Sequence, residues 1–220
     1  IGLPAAAMGL LTLVVSPVHA ISLLIIPILF TNFSQFMSSK NRIETAKTYW
    51  VLAAAIIISI FVTSLFLATY PTGLLTISIG LAMVIFALNG LVGIKLEIGP
   101  SHRWQIAFGF IAGVLGGLSS IWSPPVAMYL IARNIEKEKF IAATGFLFLA
   151  GSVPLALGLF IGGTLTFTLI IQSLMGCAVV LAGFRIGEGL RKHVSQSRFQ
   201  KAVLIAFLIM GARLVIVGIF

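Results

Sequence analysis

Residues Trp104–Arg133, WQIAFGFIAGVLGGLSSIWSPPVAMYLIAR, carry no charge before the last position, yet charged loops flank them on both sides. As one continuous helix this stretch would cross a membrane and leave its flanks on opposite faces. The run Ser123-Pro124-Pro125 argues against that, because proline removes a backbone donor and disfavours helix in the residue before it. The piece after the break, 125–133, is about 13 Å long as helix. That is too short for a hydrocarbon core about 30 Å thick. We therefore expect 105–122 and 125–133 to be the two arms of a re-entrant hairpin whose tip lies within the membrane.

The rest of the chain sets the same scene. Of 220 residues, 60% are hydrophobic and 9% charged, with a mean hydropathy of +1.17, which excludes an ordinary water-soluble domain. Residues 1–39, 48–94, 104–132 and 140–184 contain no Lys, Arg, Asp or Glu. Spans are expected at 18–38, 49–69, 73–94, 140–161, 165–184 and 202–220, each close to the roughly 20 residues a crossing needs. Tyr49-Trp50 and Tyr70-Pro71 frame one of them with aromatic residues at both interfaces. The opening Ile1-Gly2-Leu3-Pro4 has no methionine and no charged leader, and predicts no signal peptide and a further helix upstream.

The net charge of +9 has no domain outside the membrane on which to build a nucleic-acid site. It reads as topology instead. Thirteen of the 14 basic residues fall in loops at 40–47, 95–103, 133–139 and 185–201, and none in the turns at 71–73 and 162–164. Positive loops face the cytoplasm, and all four can do so only if the hairpin enters and leaves on one side. The spans before it then run out-in, in-out, out-in, and those after it in-out, out-in, in-out. Pro4-Ala5-Ala6-Ala7-Met8 also matches Pro124-Pro125-Val126-Ala127-Met128 at the first, fourth and fifth positions. The expected fold is an all-α polytopic membrane protein of two inverted repeats, each a proline-broken re-entrant hairpin plus three transmembrane helices. Residues 1–94 form the first repeat, lacking its first helix arm, 95–103 a cytoplasmic connector and 104–220 the second repeat. Inverted repeats with interrupted helices are an architecture of secondary transporters.

Half-helix N-termini attract anions, and the arms after Pro4 and Pro125 both present one. Around the second lie Ser119, Ser120, Trp122 and Ser123, hydroxyl donors and an indole suited to a gate, beside Pro124 and Pro125. The alternative is a kink with serines bonded back to carbonyls. Asn32 and Gln35 are polar groups late in a span, with Thr144 their counterpart in the other half, and serve either substrate or helix packing. Arg213 is the one charge within a span. It either meets an anionic substrate or an aqueous vestibule, or snorkels to the interface. The chain has no Asp, and its five Glu lie in the loops, so a carboxylate proton relay, a carboxylate cation site and a membrane-embedded enzyme are disfavoured. His19 is the one proton carrier near the bilayer, or a structural boundary residue. Cys177, the sole cysteine, fits packing, and neither a metal nor another cofactor is expected. Glycines 109, 113 and 117 permit close contact within the chain or between two copies.

Gly109-Phe110-Ile111-Ala112-Gly113-Val114-Leu115-Gly116-Gly117-Leu118-Ser119 with Pro124-Pro125, and Arg185-Ile186-Gly187-Glu188-Gly189-Leu190-Arg191 with Ser197-Arg198-Phe199, resemble the TauE/SafE family of sulfite exporters and related carriers. Pro4, Pro17 and Ala20 fall where that family's first proline pattern would place them. The chain departs from it in having Trp122-Ser123 where glycines commonly precede the proline, and in its reduced first glycine-rich segment. The resemblance implies a multi-pass transporter of the cytoplasmic membrane that exports sulfite or an organosulfonate. An anion channel and a non-transporting assembly or accessory protein are the alternatives.

Overall fold

The computed structural model describes residues 3–39, 42–93, 98–99, 101–191 and 196–220. Among these the secondary structure is helical: α1 (Leu3–Leu11), α2 (Pro17–Met37), α3 (Arg42–Leu65), α4 (Thr72–Val92), α5 (His102–Ser119), α6 (Ser123–Ala132), α7 (Lys137–Ile161), α8 (Phe167–Arg191) and α9 (Gln196–Ile219), with a 3₁₀ turn at Leu67–Thr69. Five of these, α2, α3, α4, α7 and α9, hold segments long and apolar enough to cross a membrane. The sixth expected span coincides with α8, whose apolar stretch within the described residues is Phe167–Val180.

Local chemistry sets the helix ends. Ser16 caps α2, its Oγ accepting from the His19 N–H at 3.4 Å, with Pro17 in the first turn, where its missing donor costs nothing. Ser101 caps α5 in the same way through the Arg103 N–H. Gly93, at φ 67°, ends α4 in the left-handed conformation that glycine adopts without penalty.

Two boundaries correct the sequence reading. Helix α3 begins at Arg42, not Tyr49, and Tyr49 (φ −113°, ψ 18°) marks a kink inside it. The basic segment expected as a loop at 185–201 is mostly helix, since α8 runs to Arg191 and α9 starts at Gln196. Arg, Glu, Gln and Lys are good helix formers, so charge marks where the chain leaves lipid rather than where the helix stops. Residues 192–195, and 94–97 and 100 of the expected connector, lie outside the described residues.

Helices α3 and α5 run parallel in close contact. A β-carbon on Gly109 would lie 2.7 Å from Ala55 Cβ, Gly113 faces Ser59, and Gly117 faces Thr63. In lipid, where apolar side chains gain nothing by leaving a solvent of the same kind, such small-residue contact carries helix association. Helices α4 and α9 cross antiparallel: a β-carbon on Gly80 would lie 2.6 Å from the Gly211 carbonyl oxygen, and one on Gly211 2.8 Å from that of Gly80. Helix α7 runs parallel to α3, with Gly151 beside Ile60 and Gly158 beside Ser64. It runs antiparallel to α2, with Phe36 against Phe146 and Asn32 bonded to Phe148.

The decisive stretch folds back on itself. Trp122 packs on Gly116, and the Tyr129 ring lies 5.6 Å from that of Phe108. Helix α6 therefore returns alongside α5 toward the end from which α5 started. The expected hairpin is present, with its turn at Ser120-Ile121-Trp122.

Candidate functional site

The hairpin tip is buried inside the bundle at mid-span. Trp122 touches Ile60's neighbour Gly151 on α7, and Ile60 itself touches Gly116 and Gly151. In sequence, Ile60 lies midway between Trp50 and Tyr70, and Gly151 midway between Phe140 and Ile161. Two helices thus place the tip at half their crossing.

The two serines of the tip differ in role. Ser119 is used by the turn: its Oγ donates to the Leu115 carbonyl at 2.6 Å and accepts from the Ile121 N–H at 3.1 Å. Ser120 takes the left-handed conformation at φ 61°, and its N–H bonds to the Gly116 carbonyl. That conformation is uncommon and costly for a residue with a β-carbon. Its hydroxyl is buried and has no hydrogen-bond partner among the described residues; Ser120 is 1% exposed. The same holds for the indole Nε1 of Trp122, a residue 3% exposed. Its ring stands edge-on to Phe148 at 6.4 Å. A buried donor left without an acceptor costs about 1–3 kcal/mol. Two within three residues, at the start of a half-helix, form a place for an acceptor.

Trp122 caps α6, and Ser123, Pro124 and Pro125 form its first turn. A helix start ordinarily offers four unpaired N–H groups. The two prolines remove two of them, leaving those of Trp122 and Ser123. Pro124 and Pro125 are buried in the first turn of α6 and fix the break beside the tip.

Other predicted residues fall into three places. Asn32 Nδ2 donates to the Phe148 carbonyl at 3.2 Å, so one residue separates Asn32 from the Trp122 ring. Gln35 Nε2 donates to Thr144 Oγ1 at 3.1 Å and to the Ile141 carbonyl at 3.3 Å. Gln35 and Thr144 are brought together as a tie between α2 and α7. Pro4 is half-buried on α1, which packs on α2, α4 and α9, while α6 packs on α4, α5 and α7; α4 is the element the two arms share. Arg213 is exposed on α9, whose face toward the bundle is Leu204, Phe207, Gly211 and Leu214. The structure does not bring Arg213 to the hairpin tip. His19 and Cys177 are half-buried on α2 and α8.

Two polar residues escaped the sequence reading. Pro27 has no N–H to give the Leu23 carbonyl, and Ser173 Oγ of α8 donates to it at 2.7 Å while accepting from Ile26 N–H at 3.1 Å. The Tyr49 kink opens α3 likewise, and the Gln105 side chain fills the gap. Its Oε1 accepts from Leu52 N–H at 3.1 Å, and its Nε2 donates to the Thr48 carbonyl at 3.4 Å. Pro27 was the visible sign of the first repair. Nothing in the composition of α3 announced the second.

A bundle of apolar helices wrapped around a proline-broken hairpin that ends at mid-span defines a multi-pass membrane protein of the transporter class. The chain matches the family described as Sulfite exporter TauE/SafE over residues 1–214 and belongs to that family. It is thereby a member of a family of membrane transporters of sulfur anions such as sulfite. No curated protein and no solved structure matches it.

Proposed function

We propose that this protein is a secondary carrier that exports a small sulfur oxyanion, sulfite or an organosulfonate, across the cytoplasmic membrane, and that the anion binds at the tip of the α5–α6 hairpin. The observation that carries this reading is the pair of buried, unpartnered donors, Ser120 Oγ and Trp122 Nε1, beside the N-terminus of α6. Backbone N–H groups and the helix dipole favour negative charge there. The donors also form hydrogen bonds with an anion that are stronger than neutral ones. Asn32 holds Phe148, and Phe148 holds the indole. Gln35 and Thr144 fix α2 against α7 around the same site. Arg213 serves as an outer basic residue of the bundle, and Pro4 as the break at the start of the first half.

The packing supports two inverted halves, 1–94 and 104–220, joined by a connector at 95–103. Exchanging α1 with α6, α2 with α7, α3 with α8 and α4 with α9 turns α3·α7 into α8·α2, α1·α2 into α6·α7 and α1·α9 into α6·α4. Every one of these is a packed pair. The pairs α2·α7 and α4·α9 map onto themselves. With the interior negative, each exported negative charge is favoured by about 2.3 kcal/mol per 100 mV, so export needs no carboxylate relay. The absence of Asp from the sequence, with Glu44 and Glu138 in the first turns of α3 and α7, Glu136 just before α7 and Glu188 in the last turn of α8, agrees with a carrier rather than an enzyme.

Counterflow of radiolabelled sulfite in proteoliposomes tests this. Saturable counterflow is expected. Flux that neither saturates nor exchanges would make the protein a channel, and binding without flux an accessory protein.

A further inference from the structure

The surroundings of the tip constrain the charge of what binds. The elements packed on the hairpin are α3, α4 and α7. Their titratable residues, with those of the hairpin itself, are Arg42, Glu44, Lys47 and Tyr49 at the start of α3, His102 and Arg103 at the start of α5, Tyr129 and then Arg133 at the end of α6, and Lys137, Glu138 and Lys139 at the start of α7. Helix α4 contributes none. The residues on α3 and α7 lie about 16 Å or more along their helices from the level of Ile60 and Gly151. Tyr129 packs at the hairpin base against Phe108 and Tyr49, and Arg133 Nη1 donates to the Ile98 carbonyl. The donors at the tip are therefore the Ser120 and Ser123 hydroxyls, an indole N–H and two backbone N–H groups at a helix end worth roughly half an elementary charge.

Such a site is poor in compensating charge. Moving an anion out of water costs a solvation energy that rises with the square of its charge, whereas its attraction to fixed neutral donors rises only in proportion to the charge. Doubling the charge quadruples the cost and doubles the gain. Neutral donors and a fractional dipole suit one negative charge, and a dianion would need a cation that the tip lacks among the described residues. We infer that the site takes the singly charged form of its substrate, hydrogen sulfite or a sulfonate, and rejects the sulfite dianion. This rests on the reading of the tip as the binding site of a sulfur-anion carrier. It also places the transported proton on the substrate, since hydrogen sulfite brings its own.

The test uses the whole chain in proteoliposomes, with radiolabelled sulfite and radiolabelled methanesulfonate each followed by counterflow from mildly acidic to mildly alkaline pH. Sulfite loses its last proton near neutrality. Its singly charged share therefore falls about tenfold per pH unit above that point, and the KM for total sulfite is expected to rise in step. Methanesulfonate keeps one charge throughout, and its KM is expected to stay level. A sulfite KM that is flat or falls with pH overturns the inference, as does a parallel rise for both anions, which would assign the titration to the protein. Charge moved per sulfite, read with a potential-sensitive dye, gives a second measure: one elementary charge is expected, and two overturns the proposal. Failure of both anions to exchange is a different result, and it removes the carrier reading itself.

Discussion

Ser119 and Ser120 are one position apart, yet only the second has a hydroxyl free for a ligand. Ser119 closes the turn through Leu115 and Ile121. Ser120 sits at φ 61°, where glycine is at ease. Ser120→Gly therefore removes the hydroxyl and relieves the backbone together. The folded protein should melt no lower than the parent in detergent, while the KM for sulfite rises about 10-fold or more, because a hydrogen bond to a charged group is worth about 1.5–3 kcal/mol. Ser119→Ala should do the reverse, lowering the melting temperature and leaving KM unchanged. Equal KM values for Ser120→Gly and parent would take the hydroxyl out of the site. Arg213 offers the opposite contrast. Exposed on the outer side of α9, it should tolerate Arg213→Ala with KM for sulfite within about twofold of the parent, a change too small to represent a lost charged hydrogen bond. A large rise in KM would return the arginine to the anion's path.

At the scale of elements, two helices are interrupted and each is repaired from a neighbour. Gln105 supplies both an acceptor and a donor to the opened turn of α3 at Tyr49. Gln105→Leu keeps much of the volume and strips both bonds, leaving Leu52 N–H and the Thr48 carbonyl without this partner. A loss of stability of about 2–4 kcal/mol is expected from two such groups, seen as a lower melting temperature in detergent. No change would mean that the kinked turn closes on itself once the side chain is gone. The sequence disclosed the hairpin because Pro124-Pro125 breaks a helix by local chemistry, and glycines at a spacing of four marked a smooth face on α5 without naming the helix, or the second copy, that packs on it. It did not disclose the Gln105 insertion, since that depends on which helix lies beside α5. Nor did it separate Ser119 from Ser120, whose difference is one backbone dihedral. The start of α3 was misplaced because Arg42, Glu44 and Lys47 are as compatible with helix as with loop.

For the whole molecule, the return of α6 along α5 makes a topological demand. If the hairpin is re-entrant as proposed, Ser101 and Asn134 at its two ends lie on the same side of the membrane, and the positive loops predict that side to be the cytoplasm. In a Cys177→Ser background, cysteines placed at 101 and at 134 should both react with a membrane-impermeant maleimide only after the cytoplasmic face is opened. Labelling from opposite faces would mean that the segment crosses.

The placement of the anion at mid-span beside Trp122 is tested most directly by the fluorescence of that residue. The chain has three tryptophans, so Trp50→Phe with Trp104→Phe leaves Trp122 as the only indole. Titration of this variant with sulfite at mildly acidic pH should shift or quench its emission along a saturable curve, and adding Ser120→Gly should move the midpoint about 10-fold or more to higher concentration. Emission that stays unchanged while the same preparation exchanges sulfite with the parent's KM would contradict the placement, and would put the binding site elsewhere in the bundle.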